Sequence, residues 1–325
     1  MQNWKDLLQK ECSNTGFNKS EFLDKYEHLI DGPNRSAKRK KVIRYLELLQ
    51  RNSGIAPVNR ETFLQESNIF EANSVDLDVE PNKQITFGLI GDTHFNSKYV
   101  QLTYLNDFYN TCASQGITDV YHVGDVDEGE MMRPGHAYEN YRQGADDHIS
   151  EIVKNYPYRE GITTHFITGN HDASFRKSCG LDIGKQIATK RSDMNYLGRD
   201  VANINITNKI TMQLRHPWSG SAYALSYRPQ KIVESMEAAC LDKPDILCIG
   251  HYHKIEYLFY HGVHVFQTGC FQSATPFTTG KGISVSMGGW IVTVETDSEG
   301  NLKTITPKAV VYKKEDYKNW QWNSA

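Results

Sequence analysis

Short runs of β-branched and aromatic residues dominate the chain from Gln84 onward. Five of these runs predict strands, at residues 85–90, 119–123, 164–168, 210–214 and 245–249. Between the early runs, residues 100–114 and 137–156 have the apolar spacing of helices. Alternation of strands and helices predicts a layered α/β sheet. After Tyr252 four further strand runs follow with few helical intervals, so we expect antiparallel pairing there; they cover residues 255–260, 263–267, 290–295 and 305–312.

The amino-terminal segment has a different, helical pattern. A short helix begins near Leu7 and Leu8, and apolar residues then recur at helical spacing at Phe22, Leu23, Tyr26 and Ile30. The turn at 31–34 contains Gly and Pro, which interrupt a helix. Ser36 can cap a following helix, whose apolar stripe is Val42, Ile43, Leu46 and Leu49. A helix-turn-helix and a small bundle with a solvated basic face both fit this pattern.

Composition narrows the class of protein. With 39% hydrophobic and 23% charged residues, the 325-residue chain has the make-up of a globular protein, which excludes a disordered or low-complexity molecule. Its apolar runs are much shorter than the ~18 residues that span a bilayer, and the amino terminus lacks the apolar core of a signal peptide. The six cysteines form no CxxC pair. We therefore expect a cytoplasmic protein with reduced thiols and no membrane partner.

Charge is distributed unevenly and suggests three parts. Residues 1–60 hold 12 Lys and Arg against 7 Asp and Glu, a balance of +5, whereas residues 61–82 hold six acids and no base. We predict a basic helical arm at 1–60, an acidic linker at 61–82 and an α/β domain at 83–325. Clustered bases neutralise nucleic-acid phosphates, and the candidates for such contacts are Lys38, Arg39, Lys40, Lys41 and Arg44.

The candidate chemistry lies directly after the predicted strands. Three glycine-led segments come first, at 91–94 (GDTH), 124–128 (GDVDE) and 169–172 (GNHD); His216 and the segment 250–253 (GHYH) follow. Open α/β sheets bind ligands outside the carboxyl ends of their strands. Mixed carboxylate, amide and imidazole groups suit Mn, Fe or Zn. Seven potential ligands exceed the four of one tetrahedral zinc, but they can surround two metal ions if one carboxylate bridges them.

These five blocks resemble the pattern of the calcineurin-like metallophosphoesterases, D-x-H, G-D-x-x-[D/E], G-N-H-[D/E], a later His and G-H-x-H. The resemblance covers residues 91–253 and leaves residues 1–80 outside it. It implies a four-layer α/β/β/α fold with two mixed sheets. It also implies one metal on Asp92, His94 and His253, a second on Asn170, His216 and His251, and Asp125 as the bridge.

The resemblance also implies catalytic roles. His171 would be the histidine beside the substrate that is not a ligand, and Glu128 the acid that supports it. The protein-phosphatase branch of the family has Asp followed by Arg at this place. This chain has Glu128 followed by Gly129, which argues against a phosphoprotein phosphatase.

Two divalent ions, Mn by preference and Fe or Zn as alternatives, would supply a hydroxide for in-line attack on the phosphoester. His171 would protonate the leaving oxygen. For substrate contacts the candidates are Arg176, which also fits an exposed residue of a short helix, and Arg133 and His136 in the segment after the second motif. His122 and His165 lie inside predicted strands and are expected to be packed core residues.

The substrate stays open at this point. The basic arm favours a DNA nuclease or phosphodiesterase, because the arm could deliver a polyanion to the catalytic domain. A small-molecule phosphomonoesterase is one alternative. A non-catalytic nucleic-acid-binding subunit is another, although the complete ligand set argues against it. The oligomeric state is not predicted.

Overall fold

A computed structural model describes residues 3–11, 19–31, 38, 41–42, 73–218, 220, 224–239, 241–316 and 318. The chain divides into two compact units, Met1–Glu71 and Ala72–Ala325. Within the described ranges, no helix combines the length and the apolar character that crossing a membrane requires.

The first unit has a small apolar core. Helix α1 spans Trp4–Glu11, helix α2 spans Lys19–Tyr26, and a 3-10 turn follows at Glu27–Leu29. The buried side chains are Leu8, Phe22, Leu23, Ile30 and Val42, so the predicted apolar spacing is confirmed in the described part. Of the predicted second helix, Lys38, Lys41 and Val42 are described and helical. The rest of it, and with it the helix-turn-helix prediction, lies outside the described residues.

The second unit contains two six-stranded mixed sheets. The strands of the first are β2 (Gln84–Ile90), β3 (Asp119–Val123), β4 (Thr163–Thr168), β5 (Met194–Arg199), β11 (Met287–Thr296) and β12 (Leu302–Tyr312). Their order is β12-β11-β2-β3-β4-β5. Strands β2 to β5 are parallel, and β11 is antiparallel to both β2 and β12. The carboxyl ends of β2, β3 and β4 therefore lie side by side at the same end of the strands.

The strands of the second sheet are β1 (Asn73–Asp76), β6 (Val201–Thr207), β7 (Ile210–Arg215), β8 (Ile246–Ile249), β9 (Ile255–Tyr260) and β10 (Val263–Thr268). Their order is β1-β6-β7-β8-β10-β9. The prediction of antiparallel pairing after Tyr252 is confirmed for β9 with β10 and for β11 with β12. It is wrong for β10 with β8, which pair in parallel because the β9–β10 hairpin places β9 at the sheet edge and β10 beside β8.

Helices cover the outer faces of both sheets. They are α3 (Leu102–Ser114), α4 (Ala145–Asn155), α5 (Ala173–Cys179), α6 (Ile183–Lys190), α7 (Tyr227–Ala238) and α8 (Pro276–Gly280). One apolar core joins α3, α4 and α6 to the first sheet, and a second joins α7 to the other sheet. A third core, which includes Phe87, Tyr121, Met212 and Phe266, lies between the sheets. The predicted four-layer α/β/β/α architecture is confirmed.

Two local predictions need correction. The linker predicted at 61–82 overlaps β1, where Val75, Leu77 and Val79 pack against the core between the sheets. Acidic residues at the alternate positions hid this two-residue periodicity. The helix predicted at 137–156 is two elements, a 3-10 turn at His136–Glu139 and α4, and it is interrupted at Gly144, whose φ is 84°. Strands β5 and β6 were not predicted at all.

Candidate metal centre

Five strand ends carry the predicted ligands into one place. Asp92 and His94 follow β2, Asp125 follows β3, and Asn170 follows β4; from the other sheet, His216 directly follows β7, and His251 and His253 follow β8. All seven side chains are buried or half-buried. Their side-chain nitrogen and oxygen atoms form two neighbouring groups, with Asn170 on the edge of one of them.

The first group consists of Asp92, His94 and His253. The Nε2 atoms of the two imidazoles are 3.1 Å apart. Nε2 of His253 is 3.4 Å from Oδ1 of Asp92, and Nε2 of His94 is 3.9 Å from the same oxygen. Three donor atoms that converge in this way match the side-chain requirement of a divalent cation.

The second group consists of Asp125, His216 and His251, with the amide of Asn170 beside them. Oδ1 of Asn170 is 3.1 Å from Nε2 of His216 and 2.8 Å from Nδ1 of His251. Oδ2 of Asp125 is 3.2 Å from Nε2 of His216. The same oxygen is 4.0 Å from Nε2 of His94 in the first group. Asp125 thus faces both groups, as a bridging carboxylate would.

The backbone at these ligands is strained. Asp92, His94, Asp125, His251 and His253 all have φ between 49° and 76°, a left-handed conformation that non-glycine residues seldom adopt. Each such residue costs on the order of 1–3 kcal/mol and persists where the surrounding structure enforces it. Their concentration in the motif loops indicates that ligand placement, not local preference, sets the shape of these loops.

Two motif glycines leave room for ligands. A Cβ atom on Gly124 would lie 2.6 Å from Nδ1 of His216, and Gly124 also has a φ of 96°. A Cβ atom on Gly169 would lie 2.3 Å from Oδ1 of Asp125 and 2.6 Å from the His216 ring. Both contacts are shorter than real Cβ atoms make, so a side chain at either position would displace a ligand.

The charged side chains of the two ligand groups shift one another's pKa values. Burial would raise the pKa of Asp125, but the neighbouring His216 and His171 hold it well below its usual range. Burial opposes the charged form of His216, yet Asp125 outweighs burial and raises the pKa of His216 to about 9. Burial, together with the charge of His216, lowers the pKa of His251 to about 4. The positive charge of the His216 imidazole thus compensates the carboxylates, and a bound metal ion can take over this role. The donor set fits divalent metal ions.

His171 lies against the first group but is anchored by the backbone. Its ring is edge-on to His94, with centroids 4.7 Å apart. Its Nδ1 donates to the carbonyl oxygen of Glu128 at 2.6 Å, and its backbone N–H donates to Oδ1 of Asp125 at 2.8 Å. The carbonyl fixes the proton on Nδ1, so Nε2 is the nitrogen that can exchange a proton with a substrate.

The carboxylate of Glu128 has a different contact from the one expected. It is 2.9 Å from Nδ1 of His94, 2.7 Å from Nε2 of His136 and 2.6 Å from Nε2 of Gln272. Glu128 therefore orients the ligand His94 through its side chain, whereas it holds His171 through its main chain. His136 is 1% exposed and bonded to Glu128. It acts on the site through Glu128 and has no free face for substrate, which corrects its predicted role.

The two arginines predicted to contact the substrate, Arg133 and Arg176, have different surroundings. Arg133 pairs with Glu139 at 2.6 Å and lies over the Phe277 ring at 4.6 Å, so it is tied to the loop that carries it. Arg176 is exposed on α5, one turn beyond the GNHD loop.

The basic arm is described only in part. Lys38 is part-buried and donates to the carbonyl of Glu27 at 3.1 Å, which occupies it within its own unit. Lys41 is exposed. Arg39, Lys40 and Arg44 lie outside the described residues.

Sequence reasoning missed several residues that support the site. Asp127 is fully buried and accepts from His148, Asn96 and the Gly129 N–H at 2.7, 2.7 and 2.9 Å. The Asp172 carboxylate accepts from three backbone N–H groups that link the second and third motif loops. Both acids lie inside the second and third motifs, and this position is the feature of the sequence that could have identified them. By contrast, His122 is a fully buried core residue as predicted, and burial lowers its pKa to about 3.

No family model and no curated protein matches the chain in sequence. Among solved structures it is similar to an archaeal phosphodiesterase, at 14% identity over 70% of this chain and 100% of the other, with a TM-score of 0.39. It is also similar to Vps29 of Entamoeba histolytica complexed with zinc, at 14% identity over 70% and 99%, with a TM-score of 0.36. A predicted phosphoesterase of Streptococcus pneumoniae matches at 11% identity over 71% and 99%, with a TM-score of 0.34.

Proposed function

We propose that this chain, which has the fold and the metal-ligand motifs of the calcineurin-like metallophosphoesterases, hydrolyses phosphate esters with two divalent metal ions. The observation that carries the proposal is the convergence of seven donor side chains from five strand ends into two groups that share Asp125. Asp92, His94 and His253 would hold one ion. Asn170, His216 and His251 would hold the other. Manganese is the ion we expect, and iron and zinc suit the same donors.

Two bound divalent ions would supply Lewis acidity, which would neutralise phosphoryl charge and lower the pKa of a water molecule. The residues of the chain supply the remaining functions. His171 stands beside the cage with Nε2 available, and it would donate a proton to the leaving oxygen. The Glu128 carbonyl holds the ring through Nδ1, and Asp125 holds the backbone N–H of the same residue.

The substrate that we favour is a nucleic-acid diester. The +5 balance of residues 1–60 supports this preference, because such an arm attracts a polyanion. The exposed Arg176 near the third motif offers a further positive charge at the site. The alternatives to a nucleic-acid diesterase are a phosphomonoesterase and a non-catalytic binding subunit.

A metal-supplemented activity panel tests the proposal. With Mn²⁺ we expect cleavage of bis(p-nitrophenyl) phosphate and of DNA, with much slower release from p-nitrophenyl phosphate. The reverse preference would make the protein a phosphomonoesterase. A protein that binds no metal ion and turns over neither ester would be a binding subunit.

Replacing His171 tests the assignment of the proton donor. His171→Ala should keep both metal ions by elemental analysis and lower kcat by roughly 10²- to 10⁴-fold, the usual contribution of general acid catalysis. The matched control is His261→Ala, since His261 is bonded to Glu237 on the surface. Normal turnover in metal-loaded His171→Ala would remove His171 from the mechanism, and loss of a metal ion would make it a ligand.

A further inference from the structure

A cleft borders the third motif loop on the side of the second ligand group. Its interior has room for about one water molecule, so a larger ligand would lie across its open mouth. The lining residues that matter here are Gly169, Asp172, Arg176, Arg199, Asp200 and Trp218. Gly169 and Asp172 flank the ligand Asn170 in sequence. Trp218 follows the ligand His216 by two residues. A molecule in this cleft would therefore lie next to the metal centre.

Trp218 is an exposed aromatic ring that is held in place. Its side chain is 47% exposed, and its indole N–H donates to Oδ1 of Asp200 at 2.5 Å. Asp200 in turn accepts the backbone N–H of His216 at 2.7 Å and donates its own to Thr168. The ring is thus tied to the backbone of a ligand loop. A fixed, half-exposed indole offers a flat apolar surface to another ring at little entropic cost.

Positive charge surrounds this ring. Nζ of Lys177 lies 4.5 Å from the indole centroid. Arg176 and Arg199 also line the cleft. Arg199 interacts electrostatically with Asp200, whereas the side chain of Arg176 makes no hydrogen bond or ion pair within the described ranges. An exposed arginine without an ion-pair partner can bind an anion.

The carboxylates of the cleft are already engaged. Asp172 accepts three backbone N–H groups. Asp182 accepts from the Lys185 N–H as a helix cap and from the Tyr196 hydroxyl, and Asp200 accepts from the indole. Arg176 is therefore the arginine of the cleft that has no dedicated counter-ion within the described ranges.

We propose that this cleft binds one nucleoside of a single-stranded nucleic acid, with the base stacked on Trp218 and an adjacent phosphate paired with Arg176 or Arg199. An aromatic ring beside cationic side chains is the combination with which proteins bind single strands. The assignment deepens and rests on the proposed function, because it places the base beside the metal ions that would cleave the strand.

Binding to the full-length, metal-free protein tests the cleft without relying on turnover. The probes are the tetramer (dT)4 and an abasic tetramer with tetrahydrofuran in place of each base, both measured by titration calorimetry. Trp218→Ala should weaken (dT)4 by roughly 5- to 150-fold, the range for one stacked base, with a much smaller effect on the abasic tetramer. Tyr158→Ala removes another exposed aromatic ring, 60% exposed at the opposite end of β4, and should leave (dT)4 affinity unchanged. Equal affinity of wild type and Trp218→Ala for (dT)4 would overturn the proposal.

The arginines give a second, independent readout. Arg176→Gln should weaken both tetramers alike, by roughly two- to fivefold, as expected for one solvated ion pair with a phosphate. If it weakens neither, and Arg199→Gln does not either, the phosphate contact is excluded.

Turnover separates failure of the cleft from failure of the proposed function. In the Mn²⁺-loaded protein, Trp218→Ala should raise KM more for thymidine 5′-(p-nitrophenyl phosphate) than for methyl p-nitrophenyl phosphate. If the wild type cleaves neither ester, the phosphoesterase proposal fails while the (dT)4 titration still decides the cleft. If it cleaves both and the KM ratio does not change, the cleft assignment fails alone.

Discussion

The lack of a side chain at Gly169 is a requirement of the proposed metal centre. A Cβ atom there would lie 2.3 Å from Oδ1 of Asp125 and 2.6 Å from the His216 ring. Gly169→Ala should therefore push apart the bridging carboxylate and its neighbour. We expect the loss of at least one bound metal ion, measured by elemental analysis. We also expect a fall of about 1–3 kcal/mol in the free energy of unfolding, typical of overpacking.

The matched control is Gly280→Ala. Gly280 ends α8 and has no positive φ, and a Cβ atom on it would meet no other atom within 4 Å. This variant should retain both the metal content and the stability of the wild type. If Gly169→Ala kept full metal occupancy, the tight packing of Asp125 against His216 would not be needed for ligand placement.

At this scale the sequence predicts ligands better than the residues that hold them. Asp92, His94, Asp125 and Asn170 stand in compact motifs directly after β2, β3 and β4, so their convergence follows from the parallel strand ends of one sheet. The contact of Glu128 with Gln272 joins residues 144 positions apart. No local pattern encodes such a pairing, because it depends on how a distant loop returns to the site.

At the scale of elements, the sequence predicts strands that are apolar throughout and misses those that alternate. Strand β3 is found with correct ends because four of its five side chains are buried. Strand β6 has polar side chains at every second position from Asn203, and β1 has a single apolar residue, Val75, so the apolar face of each strand is obscured. The position of β1 in the sheet becomes evident only from its pairing with β6, whose partner residues are 129 positions away.

A hydrogen bond between β3 and β4 links stability to pH. Oδ1 of Asp119 is 2.8 Å from Nε2 of His165. The hydrogen bond from His165 is the main reason that the pKa of Asp119 lies below its ordinary value of 3.8. A lowered carboxyl pKa stabilises the fold above pH 3.8, and this stabilisation is lost as pH falls through the lower, folded-state value. We expect Asp119→Asn to cost about 1 kcal/mol at pH 6, because the pair is partly solvated.

Urea unfolding of the wild type and of Asp119→Asn at several pH values measures this effect. The difference in free energy of unfolding should shrink towards zero below pH 3.8. Asp146→Asn is the control, since Asp146 is exposed in the first turn of α4. A difference that stayed constant down to the lowest pH would mean that Asp119 acts through packing and not through its charge.

At the scale of the whole molecule, the basic segment lies within the first unit, which has its own core. The first unit has its own buried cluster, which includes Leu8, Phe22 and Val42, and none of the core clusters of the second unit contains a residue of the first. The excess of bases lies in residues 1–60, and the two sheets carry the ligands. This arrangement is consistent with a division of labour in which one unit attracts a polyanion and the other acts on it.

Salt dependence of DNA binding tests that division. We expect substitution of Arg39, Lys40, Lys41 and Arg44 by Gln to lower the slope of log affinity against log salt concentration. Each lost contact with a phosphate of B-DNA lowers it by roughly 0.9. Lys38 is left in place because it is bonded to Glu27.

The control removes the same charge from the second unit, by Gln substitution of four exposed lysines: Lys154, Lys190, Lys303 and Lys308. Both variants lose four positive charges, so an effect of net charge alone would lower both slopes equally. A lower slope in the arm variant alone would place the phosphate contacts on the arm, because only there are the removed charges close enough to DNA to release counter-ions. Equal slopes for the arm variant and the wild type would instead make the basic segment a solvated surface, and the preference for a nucleic-acid substrate would then depend on the cleft beside Trp218.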